Sequence, residues 1–364
     1  MNSKRRAHEH LRSFTRRGVF APFVAPFLWS RSRFVPPAAP QNAAITPTRF
    51  STPQALLTPA DEYFVRNHFD VPKLPASSAL RVSGLVHSPF AISPADLGHL
   101  PAHSVTVTTE CAGNAVGGVS TADWEGVPLA ALLKRAGLDS KVKFIRLVGA
   151  DRGNVESEIS IPFARSIPLE KALHPDTIVA FRMNGVAIST EHGYPMRAIV
   201  PGWYGMDSVK WLVGIEALDH VDTGYFMTHV YIATRLQTVV GSDQWPVRHM
   251  RVKSLVLDPR DGASVAPGLV TIRGVAWAGE NRIARVELTT DGGKSWTPVI
   301  LSNDIRPYTW VLWSYPWEAQ TRGVFTLSVR ATDDRGNVQP PARDNLRIDN
   351  YELNWYHTIH CEVR

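Results

Sequence analysis

Between residues 250 and 350 short strand-like runs recur at 253–257, 269–277, 283–290, 295–301, 308–313 and 324–332, with turn signals between them. Even spacing of this kind specifies an all-β sandwich, immunoglobulin-like in size. The sharpest turn is Asp291-Gly292-Gly293, set between Glu287-Leu288-Thr289-Thr290 and Lys294-Ser295-Trp296. Asp and Gly tolerate the positive φ values that a tight hairpin needs. Asp334-Arg335-Gly336-Asn337 reads as a second turn.

Upstream, from about 61 to 245, helical and strand signals mix. Residues 129–138 predict a short helix with Pro128 near its start and Gly137 at its stop. Residues 142–148 and 198–200 predict strands. The fold class is therefore α+β, a mixed α/β domain followed by a β-sandwich, and 364 residues give ample core for two domains. Residues 30–60, rich in Pro, Ser and Thr, read as a linker. The expected divisions are 1–45, 46–248 and 249–364.

The formal charge of +6 is unevenly distributed. Lys4, Arg5, Arg6, Arg12, Arg16, Arg17, Arg31 and Arg33 against Glu9 give residues 1–34 a charge of +7, which leaves −1 on the rest. A nearly neutral body excludes nucleic acid as a partner, because binding it needs a basic face. After the charged start comes an apolar run of 12 residues, 18–29. Such a run fits an export signal and is too short to span a bilayer. Ser13-Phe14-Thr15-Arg16-Arg17-Gly18-Val19-Phe20 resembles a twin-arginine signal, although Pro22 and Pro26 interrupt the apolar run. Residues 1–45 are read as signal and linker. The expected location is the periplasm, or the cytoplasm if 1–34 is not a signal. No other window predicts a membrane span.

Two cysteines exclude a disulfide scaffold, a zinc ribbon and a ferredoxin, and the absence of Cys-x-x-Cys-His excludes covalent c-type haem. The segment 112–118 matches neither a phosphate loop nor a dinucleotide fingerprint, which argues against a nicotinamide or nucleotide-triphosphate enzyme. Three clusters remain. The β-branched run 105–109 delivers Cys111 to a loop of small residues, where something bulky can approach a soft metal ligand. A single Cys in a β-run is more often a core residue, and Cys361 is read that way. Residues 191–211 gather His192, Arg197 and Lys210 among glycines, which suits a phosphate-bearing cofactor or, equally, a solvated loop. In 63–69, alternation along an extended segment puts Arg66 and His68 on one face and Asn67 on the other.

Taken in order, Phe64-Val65-Arg66-Asn67-His68, Glu110-Cys111-Ala112-Gly113-Asn114 and His192-Gly193-Tyr194-Pro195-Met196-Arg197 through Lys210-Trp211-Leu212 closely resemble the sulfite oxidase family of molybdopterin enzymes. Gly274-Val275-Ala276-Trp277-Ala278-Gly279, residues 286–296 and Asn337-Val338-Gln339-Pro340 extend the resemblance over roughly 58–364.

The resemblance implies a molybdopterin-binding domain of sulfite oxidase fold over 46–248 and a dimerisation sandwich over 249–364, making a homodimer. It implies that Cys111 binds molybdenum. Tyr63, Phe64, Val65, Arg66 and Asn67 would line the cofactor. His192, Arg197, Ser208, Val209 and Lys210 would hold the pterin and its phosphate, and Asp151 would meet the pterin. Arg66 would also clamp an anion near the metal, and Tyr231, with Tyr225 as the fallback, would be the active-site tyrosine. The implied reaction is oxidation of a small anionic sulfur compound, sulfite above all, to sulfate by oxo transfer at molybdenum. Its electrons would pass to a separate carrier such as cytochrome c.

The chain departs from sulfite-oxidising members at two places. Ala115-Val116 follows the Cys-Ala-Gly-Asn motif where the family often has arginine, and Thr358 stands where a second pocket arginine is expected. His229 and Trp203 are candidates to compensate. Losing two charge-assisted contacts, each worth about 1.5–3 kcal/mol, weakens the hold on a dianion. Two alternatives stay open: the same cofactor with sulfane dehydrogenase, nitrate or sulfoxide chemistry, or a secreted binding protein without cofactor.

Overall fold

Alternation along three strands builds the first layer. Leu80 and Val82, Ile145 and Leu147, and Ile215 and Ala217 all point to one buried face. Their strands form a five-stranded sheet in the order Phe90–Ile92, Leu80–Gly84, Leu212–Leu218, Phe144–Val155, Glu158–Pro168. Leu80–Gly84 and Leu212–Leu218 run parallel; the other neighbours are antiparallel. The computed structural model describes residues 47–48, 55–113, 116–156, 158–237, 241–302 and 304–364. Residues 1–45, read as signal and linker, and Asn114 of the cysteine motif lie outside the described residues.

The helix Leu129–Ala136 follows Pro128 and buries Leu129, Leu132, Leu133 and Ala136, a single face of 3.6-residue period. Gly137 ends it at φ +66°, with its N–H shared between the carbonyls of Leu133 and Lys134. A second, antiparallel sheet has the order His103–Glu110, Val119–Pro128, Ile178–Met183, Val186–Ala187, with Arg197–Ile199 pairing on Ile178–Met183. This sheet carries Cys111 and Arg197 at strand ends.

From Lys253 onward the strands form two facing sheets. One runs Lys253–Asp258, Gly268–Trp277, Val311–Ala319, Ile300–Leu301; the other runs Ala263–Val265, His357–Val363, Gly323–Asp333, Ile283–Thr289, Thr297–Pro298. Ile272, Trp313, Leu327, Val329, Ile359 and Cys361 fill the space between them. Cys361 is thus a core residue, as expected. At Gly274 a Cβ would run into the Leu255 carbonyl and the Trp313 ring, so only glycine lets these strands close over the tryptophan.

The Asp291 turn is a cap as well as a hairpin. Its carboxylate accepts from the N–H groups of Lys294 and Ser295 and from the hydroxyls of Thr289 and Ser295, while Gly292 and Gly293 take φ +73° and +95°. Two expected strands differ. The run 295–301 splits, because the chain crosses between sheets there. Thr297–Pro298 joins Ile283–Thr289, and Ile300–Leu301 joins Val311–Ala319. The run 308–313 becomes Val311–Ala319, because residues 308–310 pair instead with the second sheet of the first half. The Thr108 N–H donates to the Tyr308 carbonyl, and the Trp310 N–H to Thr108 Oγ1, each at 2.7 Å.

Candidate active site

Cys111 leaves the end of strand His103–Glu110 half-buried, its N–H bonded to the Gly118 carbonyl at 2.8 Å. Burial raises the thiol pKa, and Arg66 opposes that shift. The preceding residue anchors the strand end. Glu110 is 2% exposed; its Oε1 accepts from Lys253 Nζ at 2.9 Å and its Oε2 from Trp277 Nε1 at 3.0 Å. Strands of the sandwich therefore grip the backbone next to the thiol.

Cys111 opens on a cleft that encloses about 700 Å³ of space, its open mouth included. Tyr63, Phe64, Arg66 and Asn67 line one wall. These residues lie in no regular strand, and Arg66, Asn67 and His68 all face the cleft, so the alternating placement expected of them does not hold. Asp151, from Phe144–Val155, and Tyr231 line other parts. His192, Arg197, Ser208 and Lys210 complete the cradle.

The cradle is cross-tied. The Arg197 guanidinium donates to the carbonyls of His192 at 2.9 Å and Ser208 at 2.8 Å and lies over the Trp124 ring. Burial pushes its pKa down to about 10. His192 Nε2 donates to the Ala60 carbonyl at 2.7 Å, and burial lowers its pKa. Lys210 Nζ donates to Asn67 Oδ1 and to the Glu191 carbonyl. Burial, with Arg197 nearby, takes Lys210 down to about 7. Burial lifts Asp151 to about 7, against the pull of Lys210.

Val65 and Val209 do not line the cleft; Val209 sits in the core behind it, 1% exposed. Tyr225 stacks on the exposed His229 and does not line the cleft, so of these two Tyr231 is the one that faces it. His229 and Trp203 do not line it either, and neither replaces a missing arginine; Trp203 packs beside Lys171 and Arg248. Thr358 lies within the sandwich sheet, bonded to the Ser328 hydroxyl, because its strand His357–Val363 pairs with Gly323–Asp333.

Sequence reasoning left His68 out of the site. Its Nε2 and the Tyr231 hydroxyl are hydrogen-bonded, its ring stacks on Phe163, and burial with Arg66, Arg165 and Lys210 lowers its pKa to about 3, so it is neutral. Its place in the Arg-Asn-His motif was the available signal. Thr109, Phe163 and Met206 also line the cleft and carry no motif that marks them; Trp211, which stands in the Lys210-Trp211-Leu212 motif, lines it too.

Comparison with known proteins agrees with this geometry. Residues 68–226 match the oxidoreductase molybdopterin binding domain, and residues 244–364 the Mo-co oxidoreductase dimerisation domain. The chain is 32% identical to sulfite oxidase of Gallus gallus over 323 residues, covering 79% of this chain and 69% of that one. It belongs to the sulfite oxidase family. Sulfite oxidase of Arabidopsis thaliana is 29% identical, with 81% of this chain and 85% of that one covered. The sulfane dehydrogenase SoxCD from Paracoccus pantotrophus shares 28% identity at a TM-score of 0.76, over 85% of this chain and 84% of that one. Against the mitochondrial sulfite oxidase of Drosophila melanogaster the chain spans only 59% of the relative's length.

As a member of the sulfite oxidase family the chain is an oxidoreductase, and molybdenum–molybdopterin is its cofactor. The residues present fit that group. Asp151 Oδ1 is buried without a hydrogen-bond partner among the described residues, and buried polar atoms are rarely left so. Gly205 lies where a Cβ would come within 2.8 Å of the Thr109 methyl, so the cradle depends on its missing side chain. Among the described residues no three His, Cys, Asp or Glu side chains gather to hold a metal. One thiol beside a cleft suits a metal whose remaining ligands come with the cofactor.

Proposed function

We propose that this sulfite oxidase family member oxidises sulfite, or a related inorganic sulfur anion, and passes two electrons singly to a separate carrier such as cytochrome c. The observation that carries this reading is the convergence of Cys111, Arg66 and Tyr231 on one cleft. When bound, the cofactor supplies oxygen-atom transfer and the storage of two electrons. Cys111 is its metal ligand. Arg197 and Lys210 face the phosphate, Asp151 meets the polar edge of the pterin, and Tyr63 and Phe64 pack beside it. Arg66 draws and orients the anion. The Tyr231 hydroxyl, kept protonated by burial and held by neutral His68, donates a hydrogen bond to a substrate oxygen.

Residues 46–248 form the cofactor domain in this reading, and 249–364 meet a second copy. Residues 1–34 direct the protein to the periplasm; replacing Arg16 and Arg17 with Lys then retains it in the cytoplasm on cell fractionation, and unchanged export argues against the assignment.

One second reading rests on an observation. With Thr358 inside the sandwich sheet, Arg66, Arg197 and Lys210 are the cations lining the cleft among the described residues, and two of them are tied into the cradle. So small a charge near the thiol suits a less charged sulfur substrate such as a sulfane, the class named for the sulfane dehydrogenase similar to this chain. Turnover of molybdenum-loaded protein with sulfite, thiosulfate, carrier-bound sulfane, nitrate and a sulfoxide separates the readings. Sulfite turnover with reduction of cytochrome c supports the first. Activity on sulfane alone selects the second, and activity only as a nitrate or sulfoxide reductase refutes both.

A further inference from the structure

Arg165 lies on strand Glu158–Pro168, outside the cleft lining and 1% exposed. Its Nε donates to Asp207 Oδ1 at 2.8 Å, its Nη1 to the Phe226 carbonyl, and its Nη2 points at the Val247 carbonyl at 3.5 Å. Its guanidinium carbon stands 5.3 Å from the centre of the Tyr231 ring. These partners belong to two parts of the site. Asp207 ends the turn Gly205–Asp207 and leads directly into Ser208 and Lys210 of the cradle. Phe226 sits in the helix Tyr225–Thr228, just before Tyr231. Val247 donates its N–H to the Tyr231 carbonyl at 2.8 Å.

Tyr231 needs such support. Its φ is +61°, a conformation unfavourable for a bulky residue that persists only when its surroundings over-determine it. Its N–H donates to the Tyr351 hydroxyl at 3.2 Å, and its own hydroxyl is bonded to His68. Arg165 is a buried group that reaches both the segment carrying Tyr231 and the turn that feeds the cradle. A planar fork with five donors suits that task; a lysine ammonium can keep the ion pair but cannot span the same carbonyls.

We propose that Arg165 is a positioning residue that sets Tyr231 against the cofactor by tying residues 226–231 to the turn 205–207. The proposal rests on the reading of Tyr231 as the substrate-facing tyrosine. A merely structural ion pair behaves differently, since replacing both members with neutral groups is often harmless.

The test uses the full chain loaded with molybdenum. Arg165→Met alone strands a buried carboxylate, so the informative variants are Arg165→Met/Asp207→Asn, which carries no buried charge, and Arg165→Lys, which keeps the pair. Both are assayed with sulfite and ferricyanide, alone and combined with Tyr231→Phe, and amide exchange is followed by mass spectrometry. The expected result is wild-type molybdenum content, a fall in kcat/KM of about tenfold or more, and faster exchange at 226–231. In the Tyr231→Phe background the same changes cost less than about twofold, because the residue they position is already disabled. Unchanged kcat/KM, an equal loss in the Tyr231→Phe background, or unchanged exchange at 226–231 overturns the proposal. Loss of molybdenum without faster exchange there overturns it too, by placing Arg165 in the cradle alone. If wild-type protein is inert to sulfite or Tyr231→Phe is fully active, the functional reading fails, while the exchange measurement still tests the tie.

Discussion

Lys253→Met tests whether a buried charge pair holds the strand end next to Cys111. Lys253 and Glu110 are each 2% exposed, and Nζ lies 2.9 Å from Oε1. Removing one member of such a pair costs about 3–5 kcal/mol, because the surviving charge is left buried and uncompensated. Burial already raises the Glu110 pKa, with Lys253 pulling against it. Without the ammonium the pKa rises further and the carboxyl takes up a proton, which holds the loss near the lower bound, about 3 kcal/mol. Unfolding entropy for 364 residues is roughly 0.8 kcal/mol per kelvin, so the melting temperature falls by about 4 °C. The sign with pH follows from the raised carboxyl. Between the unfolded and folded pKa values the folded state binds more protons, so stability falls as pH rises through that window and recovers as pH is lowered. The deficit of Lys253→Met against wild type is therefore larger at about pH 8 than at about pH 5. Glu110→Gln/Lys253→Met, which leaves no buried charge, regains most of the loss. Scanning calorimetry at the two pH values measures all of this. A deficit below about 1 °C at the higher pH, or a double variant no better than the single one, refutes the reasoning.

Cys111→Ser removes the proposed metal ligand from a half-buried position, so oxidase turnover is abolished while Tm moves little; retained turnover means the metal is elsewhere. Gly205→Ala places a methyl 2.8 Å from Thr109 Cγ2, and metal analysis of the purified variant then shows molybdenum well below the wild-type ratio. In cofactor-free protein Lys210→Met raises Tm. Burial depresses the folded-state pKa of Lys210 to about 7, so its charge is a cost that is complete below that pH and vanishes above the unfolded value of about 10.4. The gain is larger at about pH 6 than at about pH 10, and the same variant retains less cofactor. Arg66→Gln raises KM for sulfite more than it lowers kcat if Arg66 mainly draws in the anion, and steady-state kinetics with an unchanged KM contradict that role.

What the sequence displayed and what it hid divide along a physical line. Cys111, His192, Arg197 and Lys210 were legible because each stands in a short contiguous motif whose residue types already imply a ligand, and all of them line the cleft. The Asp291 hairpin and the helix ending at Gly137 were legible because turn and cap chemistry is local. Residues 63–69 misled the period-two argument because that argument assumes a ladder partner, and this segment is shaped by the cleft it lines. The run 295–301 misled it because Pro298 lacks an N–H and the chain crosses between sheets beside it. Arg165 and Glu110 were invisible for a deeper reason. Arg165 sits in no pattern that marks it, Glu110 stands in the cysteine motif with nothing there to show its role, and the meaning of each comes from partners 42 and 143 positions away, Asp207 and Lys253. A buried charge is costly unless matched, and in both cases the match joins separate parts of the chain at the reacting end of the cleft. The motif residues can hold a cofactor, but where Cys111 and Tyr231 stand relative to it is set by these two distant pairs. Variants at Arg165 or Lys253 should therefore change function in ways that no inspection of the motifs anticipates.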